Sequence, residues 1–96
     1  MKMIIFATYD DKAGTFSMPL SFNATGLCIR WFQEMCNDDK TMIGKQPGDF
    51  KLFQIGSFDA DTGELSSLDK PLFIGNAVDY VTREVQNEFP QAVSEK

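Results

Sequence analysis

Histidine is missing from this 96-residue chain, which removes the commonest general base and the usual nitrogen ligand of zinc. Only two cysteines are present, Cys28 and Cys36, eight positions apart in a stretch that reads as helix. At about 1.5 Å of rise per residue their backbones stand roughly 12 Å apart, beyond the roughly 7 Å limit for a disulfide, so two buried thiols acting as small apolar groups are expected. No run approaches the roughly 18 consecutive apolar residues of a membrane span, and the opening MKMIIFATYDD turns acidic too early for a signal peptide. A cytosolic protein without a membrane partner is expected. Also absent are a Gly-rich phosphate loop, a nucleophile beside a base and metal-ligand spacing. Asp59-Ala60-Asp61 resembles the start of a calcium loop, but Glu64 and Lys70 occupy the positions that need Gly and Glu. These absences together point away from an enzyme and from any cofactor or metal.

What is present is enough to fold. Residues 1–96 are expected to form one domain that buries somewhat over about 60% of the unfolded chain's surface, with 90–96 a frayed tail. The nine Phe, spread along the chain, argue against disorder. The stretch Asn23 to Asn37 is the most regular: Ala24, Leu27, Cys28, Trp31, Phe32 and Met35 recur at helical spacing, Asn23 is placed to cap, and Asn37-Asp38-Asp39 to stop. Adding Ile29 and Cys36 widens its apolar arc to roughly 200°, where about 100° is typical, so a second element or another subunit is needed on the flank.

The remaining elements are short. Met3 to Ala7 reads as a buried strand, Asp10 to Gly14 as a turn, and Thr15 to Phe22 as an alternating strand at an edge or broken at Pro19. A single helical turn at Thr41 to Gly44 precedes a central strand, Phe50 to Phe58, with Phe53 and Ile55 on one face, Leu52 and Phe58 on the other, and Gly56 at a bulge or a close backbone approach. A hairpin turns at Asp59 to Gly63 into Glu64 to Leu68, and Pro71 to Ile74 adds a short strand. Asn76 then caps a second helix through Val78, Val81, Val85 and Phe89, ended by Pro90. The predicted fold class is α+β: a small antiparallel sheet of about four to five strands packed on a central amphipathic helix (24–36), plus a short C-terminal helix.

The formal net charge is −5, and residues 1–58 are balanced, so the whole excess lies in 59–96. A solvated acidic surface explains that excess without a ligand. Against it, Lys40, Lys45 and Lys51, with Arg30 and Tyr9 added, are candidate nucleic-acid contacts. An acidic chain binds phosphate backbones weakly, but aromatic rings stack on the bases of single strands for about 1–3 kcal/mol each. Tyr9, beside a turn, and Trp31, on the wide apolar face, are the aromatics expected to be least enclosed.

Several segments resemble the small nonstructural DNA-binding protein family of gokushoviruses, Microviridae phages with single-stranded DNA genomes. They are Ala7-Thr8-Tyr9-Asp10, Ile29-Arg30-Trp31-Phe32, Asn37-Asp38, the run Lys45 to Asp59, Asp61-Thr62-Gly63 and Gly75-Asn76-Ala77. The Pro47 to Gly63 run is the most specific part, while Cys28 and Trp31 stand where small residues are expected. The resemblance implies a non-enzymatic phage protein of the host bacterial cytoplasm, acting in single-stranded DNA synthesis or packaging; the acidity of the chain adds the expectation that it engages single-stranded DNA as a homo-oligomer. The alternative is a protein-interaction or assembly factor that meets a phage or host protein through its apolar helix face and acidic C-terminal half.

Overall fold

Two long strands, β1 (Lys2–Asp10) and β4 (Phe50–Asp59), pair antiparallel from Lys2↔Asp59 to Asp10↔Phe50 and form the spine of the molecule. The computed structural model describes residues 1–82. Around the spine the sheet order is β2-β1-β4-β5, where β2 is Thr15–Phe16 and β5 is Leu65–Asn76; β3 (Leu20–Phe22) also pairs with β1. Turn chemistry sets the connections. Asp10 accepts backbone hydrogen bonds from Lys12 and Ala13 on its Oδ1, and Gly14 (φ +70°) and Gly63 (φ +78°) supply the left-handed residues that the two hairpins need. Pro19 breaks the second strand as its missing N–H requires, leaving β2 and β3 as separate pieces against one edge.

Bulges curl the sheet. Register shifts occur in β1–β4 between Ile5 and Phe6, and in β4–β5 on both sides of Phe53–Gln54. The largest sits where Gln54 pairs with Leu72 but Gly56 pairs with Ser67, so Leu68 to Pro71 loops out opposite Ile55 alone. A Cβ on Gly56 would stand 2.3 Å from the Ser66 carbonyl oxygen, which is why only glycine fits the pinch. The β1–β4 slip, which passes over Ile55 between Ile5↔Gly56 and Phe6↔Gln54, turns Phe58 onto the face of Phe53, because Met3 and Ala7, their partners, are an even number of residues apart on β1. The expectation that Phe58 shares a face with Leu52 is thereby corrected.

The expected α+β arrangement around a central helix is also overturned. Of the described residues 44% are strand and 28% helical, and the architecture is a curled antiparallel half-barrel with one substantial helix. That helix, α1 (Thr25–Cys36), buries fully only Cys28, Phe32 and Cys36. They meet Phe6, Phe50, Leu52 and Ala77, with Phe22, Trp31, Ile74 and Tyr80 at the margin. The wide apolar arc is only partly used, since Leu27 is 42% exposed and Ile29, Trp31 and Met35 are half-buried, and every residue from 60 to 73 in the β4–β5 hairpin is exposed. Periodicity found the helix but overstated its rank: strand pairing along the whole spine organises this chain.

The ends of α1 differ from expectation in an instructive way. Ala24, in extended conformation, holds the N-cap position without a side-chain hydrogen bond, so Asn23 does not cap. Asn37 does end the helix, and its side chain reaches further: Nδ2 donates to the carbonyls of Gln33 (2.8 Å) and Tyr80 (3.0 Å), and Oδ1 accepts from the Thr82 amide (2.7 Å). The expected helical turn is α2 (Met42–Lys45), one residue later than anticipated, because Thr41 serves as its cap and accepts from the Gly44 amide. The anticipated C-terminal helix does not start at Asn76, where a single 3-10 turn, Ala77–Tyr80, forms instead with no side-chain cap. Val85, Phe89, Pro90 and the 90–96 tail lie outside the described residues.

Cys28 and Cys36 are both free thiols with no exposed surface. Burial in this apolar core pushes each up from its ordinary 9.0 to about 11. A raised pKa means that the native state keeps protons the unfolded chain releases, so the thiols' stabilisation is complete below about 9 and drains away as pH climbs toward about 11. Thermal melts stepped through that window should show a falling midpoint. In a Cys28→Ala/Cys36→Ala variant the fall should be shallower, and identical slopes would refute the assignment.

Candidate nucleic-acid interface

With α1 on one face of the sheet, strand alternation sends the other half of the side chains to the opposite face. Ile5, Ala7 and Tyr9 of β1 point there, and the register adds Lys51 opposite Tyr9, Phe53 opposite Ala7, Phe16 opposite Tyr9 and Phe73 opposite Phe53. Four strands therefore contribute one aromatic each to a row. Tyr9 and Phe16 have ring centroids 4.8 Å apart, Phe16 and Phe53 5.5 Å, and Phe53 and Phe73 5.7 Å.

Phe53 is the hinge of this row. Its ring stands at 85°, 73° and 68° to those of Tyr9, Phe16 and Phe73, edge-to-face packing of the favoured kind. Phe16 and Phe73, on either side of it, are 44% and 49% exposed. An antiparallel sheet with one solvated face normally presents polar residues there. Here the face away from the helix is aromatic and no described element covers it, the pattern of a contact surface and not of a core.

Charge at the row comes from Lys51, beside Tyr9 across the β1–β4 pair. Its Nζ lies 2.5 Å from Asp11 Oδ2, with both side chains partly exposed. Asp11 is held in place by its own backbone, whose N–H donates to the Asp49 carbonyl at 2.8 Å, and by the Asp10-capped turn next to it.

Of the five residues expected from sequence, the structure brings together Tyr9 and Lys51. Arg30 is exposed on α1, Lys40 on the loop that follows, and Lys45 at the end of α2, all in the helical layer and not on the open face. Missed altogether were Phe16, Phe53 and Phe73. Their signal was weak, because each fitted a core strand and only the non-local register makes them neighbours.

Farther along the same face an apolar groove of about 260 Å³ is lined by Ile5, Pro19, Leu20, Ser21, Phe58 and Leu65. A smaller recess of about 160 Å³ continues it past Ile55 and Gly56. Met18, beside Pro19, is 81% exposed. At the hairpin tip the terminal ammonium of Met1 is ion-paired with Asp59 at 3.6 Å and with Asp61, and so is tied up in structure. Among the described residues no cluster of three or more His, Cys, Asp or Glu is placed to hold a metal, and no helix is long and apolar enough to cross a membrane.

Comparison with known proteins places the chain in a lineage. A family model described as Phage ORF5 protein matches residues 3–80, which include every strand of the sheet but Lys2 at the start of β1. Protein ORF5 of Chlamydia phage 1 is 34% identical over 73 residues, covering 72% of this chain and 76% of the relative. No solved structure matches.

Proposed function

This chain belongs to the phage ORF5 protein family, and from that premise we propose that it is a non-enzymatic phage protein that binds single-stranded DNA in the host bacterial cytoplasm, stacking bases on its open sheet face. The observation that carries this reading is the row Tyr9, Phe16, Phe53 and Phe73, with its two outer rings about half exposed and uncovered by any described element. Bases offer a π-face whatever their sequence, so such a row takes single strands without reading them. A duplex hides those faces and is excluded.

Electrostatics sets the mode of binding. At net charge −5 the protein gains little from phosphate contacts, and among the described residues Lys51 is the cation that the strand register places beside the row. Stacking therefore supplies most of the affinity, and several copies along one strand supply the rest through avidity, so binding is as a homo-oligomer.

Fluorescence anisotropy with a labelled oligothymidylate, run beside light scattering, tests this. Phe16→Ala/Phe73→Ala should weaken binding by at least about tenfold, since each lost stack is worth about 1–3 kcal/mol. One phosphate contact per copy gives a shallow salt slope of about −0.7 in log–log form. Absence of binding at micromolar protein and low salt, or full retention in the double variant, would sink the proposal.

The groove between Pro19, Phe58 and Leu65, with Met18 protruding beside it, favours a second reading. In that reading the protein is an assembly factor meeting a phage or host protein. Its contact surface would lie on the sheet, since on α1 the only large apolar side chain above a third exposed is Leu27. A chain that ignores the oligonucleotide but recovers one partner, lost on Leu65→Asp, would support it.

A further inference from the structure

Among the described residues, Lys51 is the only lysine or arginine side chain in an ion pair, and it is also the cation beside the aromatic row. The other described cationic side chains stand without a carboxylate partner, so pairing here is specific to this position and not a general habit of an acidic surface. Asp11 is also the less mobile member. Its amide is bonded to Asp49, and the turn from Asp10 to Gly14 is closed by the Gly14 amide on the Asp10 carbonyl at 2.7 Å. A fixed carboxylate therefore faces a lysine on a flexible stem.

Resting on the reading of the row as a base-stacking platform, we infer that Asp11 is the specificity-determining residue of that site, which rejects anions lacking bases. The physics is competition. An incoming phosphate must compete for Lys51 with a carboxylate already at 2.5 Å, which takes up part of the ammonium's charge and repels the newcomer whether it stays or is pushed aside. For a free phosphate or polyphosphate this exchange brings no compensating gain. A strand anchored by stacking on Phe16 and Phe73 holds its own phosphate beside Lys51 at high effective concentration, so the exchange becomes favourable. Lys51 thus responds to phosphate only where rings have captured bases, which is useful to a protein surrounded by nucleotides and polyanions.

The test is competition for a labelled oligothymidylate by inorganic polyphosphate, in the full chain and in Asp11→Asn, with Asp11→Ser as a second variant and circular dichroism to verify folding. Polyphosphate should displace the oligonucleotide from either variant at concentrations at least fivefold lower than from the parent, while the variants bind the oligonucleotide itself as tightly or more tightly. Adding Lys51→Met to Asp11→Asn should abolish the gain in polyphosphate sensitivity. Equal midpoints in parent and variants, or weaker oligonucleotide binding on loss of Asp11, would overturn the inference while leaving the platform standing. Failure of every chain to bind the oligonucleotide would remove the platform and the inference together.

Discussion

Replacing Gly44 by alanine is expected to destabilise the protein by about 3 kcal/mol or more. Gly44 is buried in α2, and a Cβ there would stand 1.9 Å from the Asp38 carbonyl oxygen, 2.6 Å from its carbon and 2.9 Å from the Met35 oxygen. All three are backbone atoms, and none is free to retreat. Thr41 pins both carbonyls, its Oγ1 donating to Met35 and to Asp38 at 2.9 Å while its amide donates to Asp38 at 3.0 Å. Relief therefore requires undoing the link between α1 and α2. Gly26, in the first turn of α1 with nothing within 4 Å of its would-be Cβ, is the internal control. Gly26→Ala should gain about 0.5–1 kcal/mol from helix propensity. Urea unfolding with the slope held constant reads both, and an unchanged midpoint for the Gly44 variant would show the turn to be softer than its hydrogen bonds imply.

Phe32→Ala should cost about 3–5 kcal/mol, the range for a large buried ring whose cavity cannot collapse. Phe32 has no exposed surface, and its ring packs edge-on against Tyr80 at 5.5 Å and tilted against Trp31 at 6.4 Å. It is also where α1, the sheet and the 3-10 turn meet, through Phe6, Leu52 and Ala77. A domain of this size has in all about 5–15 kcal/mol of stability, so the variant is expected to be partly unfolded at ambient temperature. Trp31, the sole tryptophan, reports it directly: its emission should shift to the red and the unfolding midpoint should drop sharply. Native-like emission with a midpoint near that of the parent would mean that α1 is held mainly by its flanks.

These two positions mark what could be read along the chain and what could not. Local chemistry was legible: Gly14 and Gly63 announced their turns, Pro19 its break, the stretch from Thr41 to Gly44 a short helical turn, and Phe50 to Phe58 a central strand. Rank and register were not. An amphipathic period states that α1 has an apolar side, but not that three of its side chains suffice to fill the available core while the sheet buries the rest. Gly56 did announce the irregularity beside Ile55, but not that the slip skips one residue and so inverts the facing of Phe58, which only the pairing with β1 displays. The same holds for the site. Lysine counting drew attention to Lys40 and Lys45, whereas the aromatic row depends on pairings between residues as far apart as Tyr9, Phe16, Phe53 and Phe73. Asn37 shows the converse, since a residue chosen as a helix stop also holds Tyr80 and Thr82, a role invisible without the fold.

The looped-out segment Leu68 to Pro71 on β5 has a consequence for how the molecule meets copies of itself. An uninterrupted outermost strand would invite the corresponding strand of a sister molecule to zip alongside it, and sheets would join end to end without limit. Here the midpoint of that rim is distorted, carries Asp69 and Lys70, and ends in Pro71, which has no amide to offer. Edge-to-edge growth into fibres is interrupted at that point.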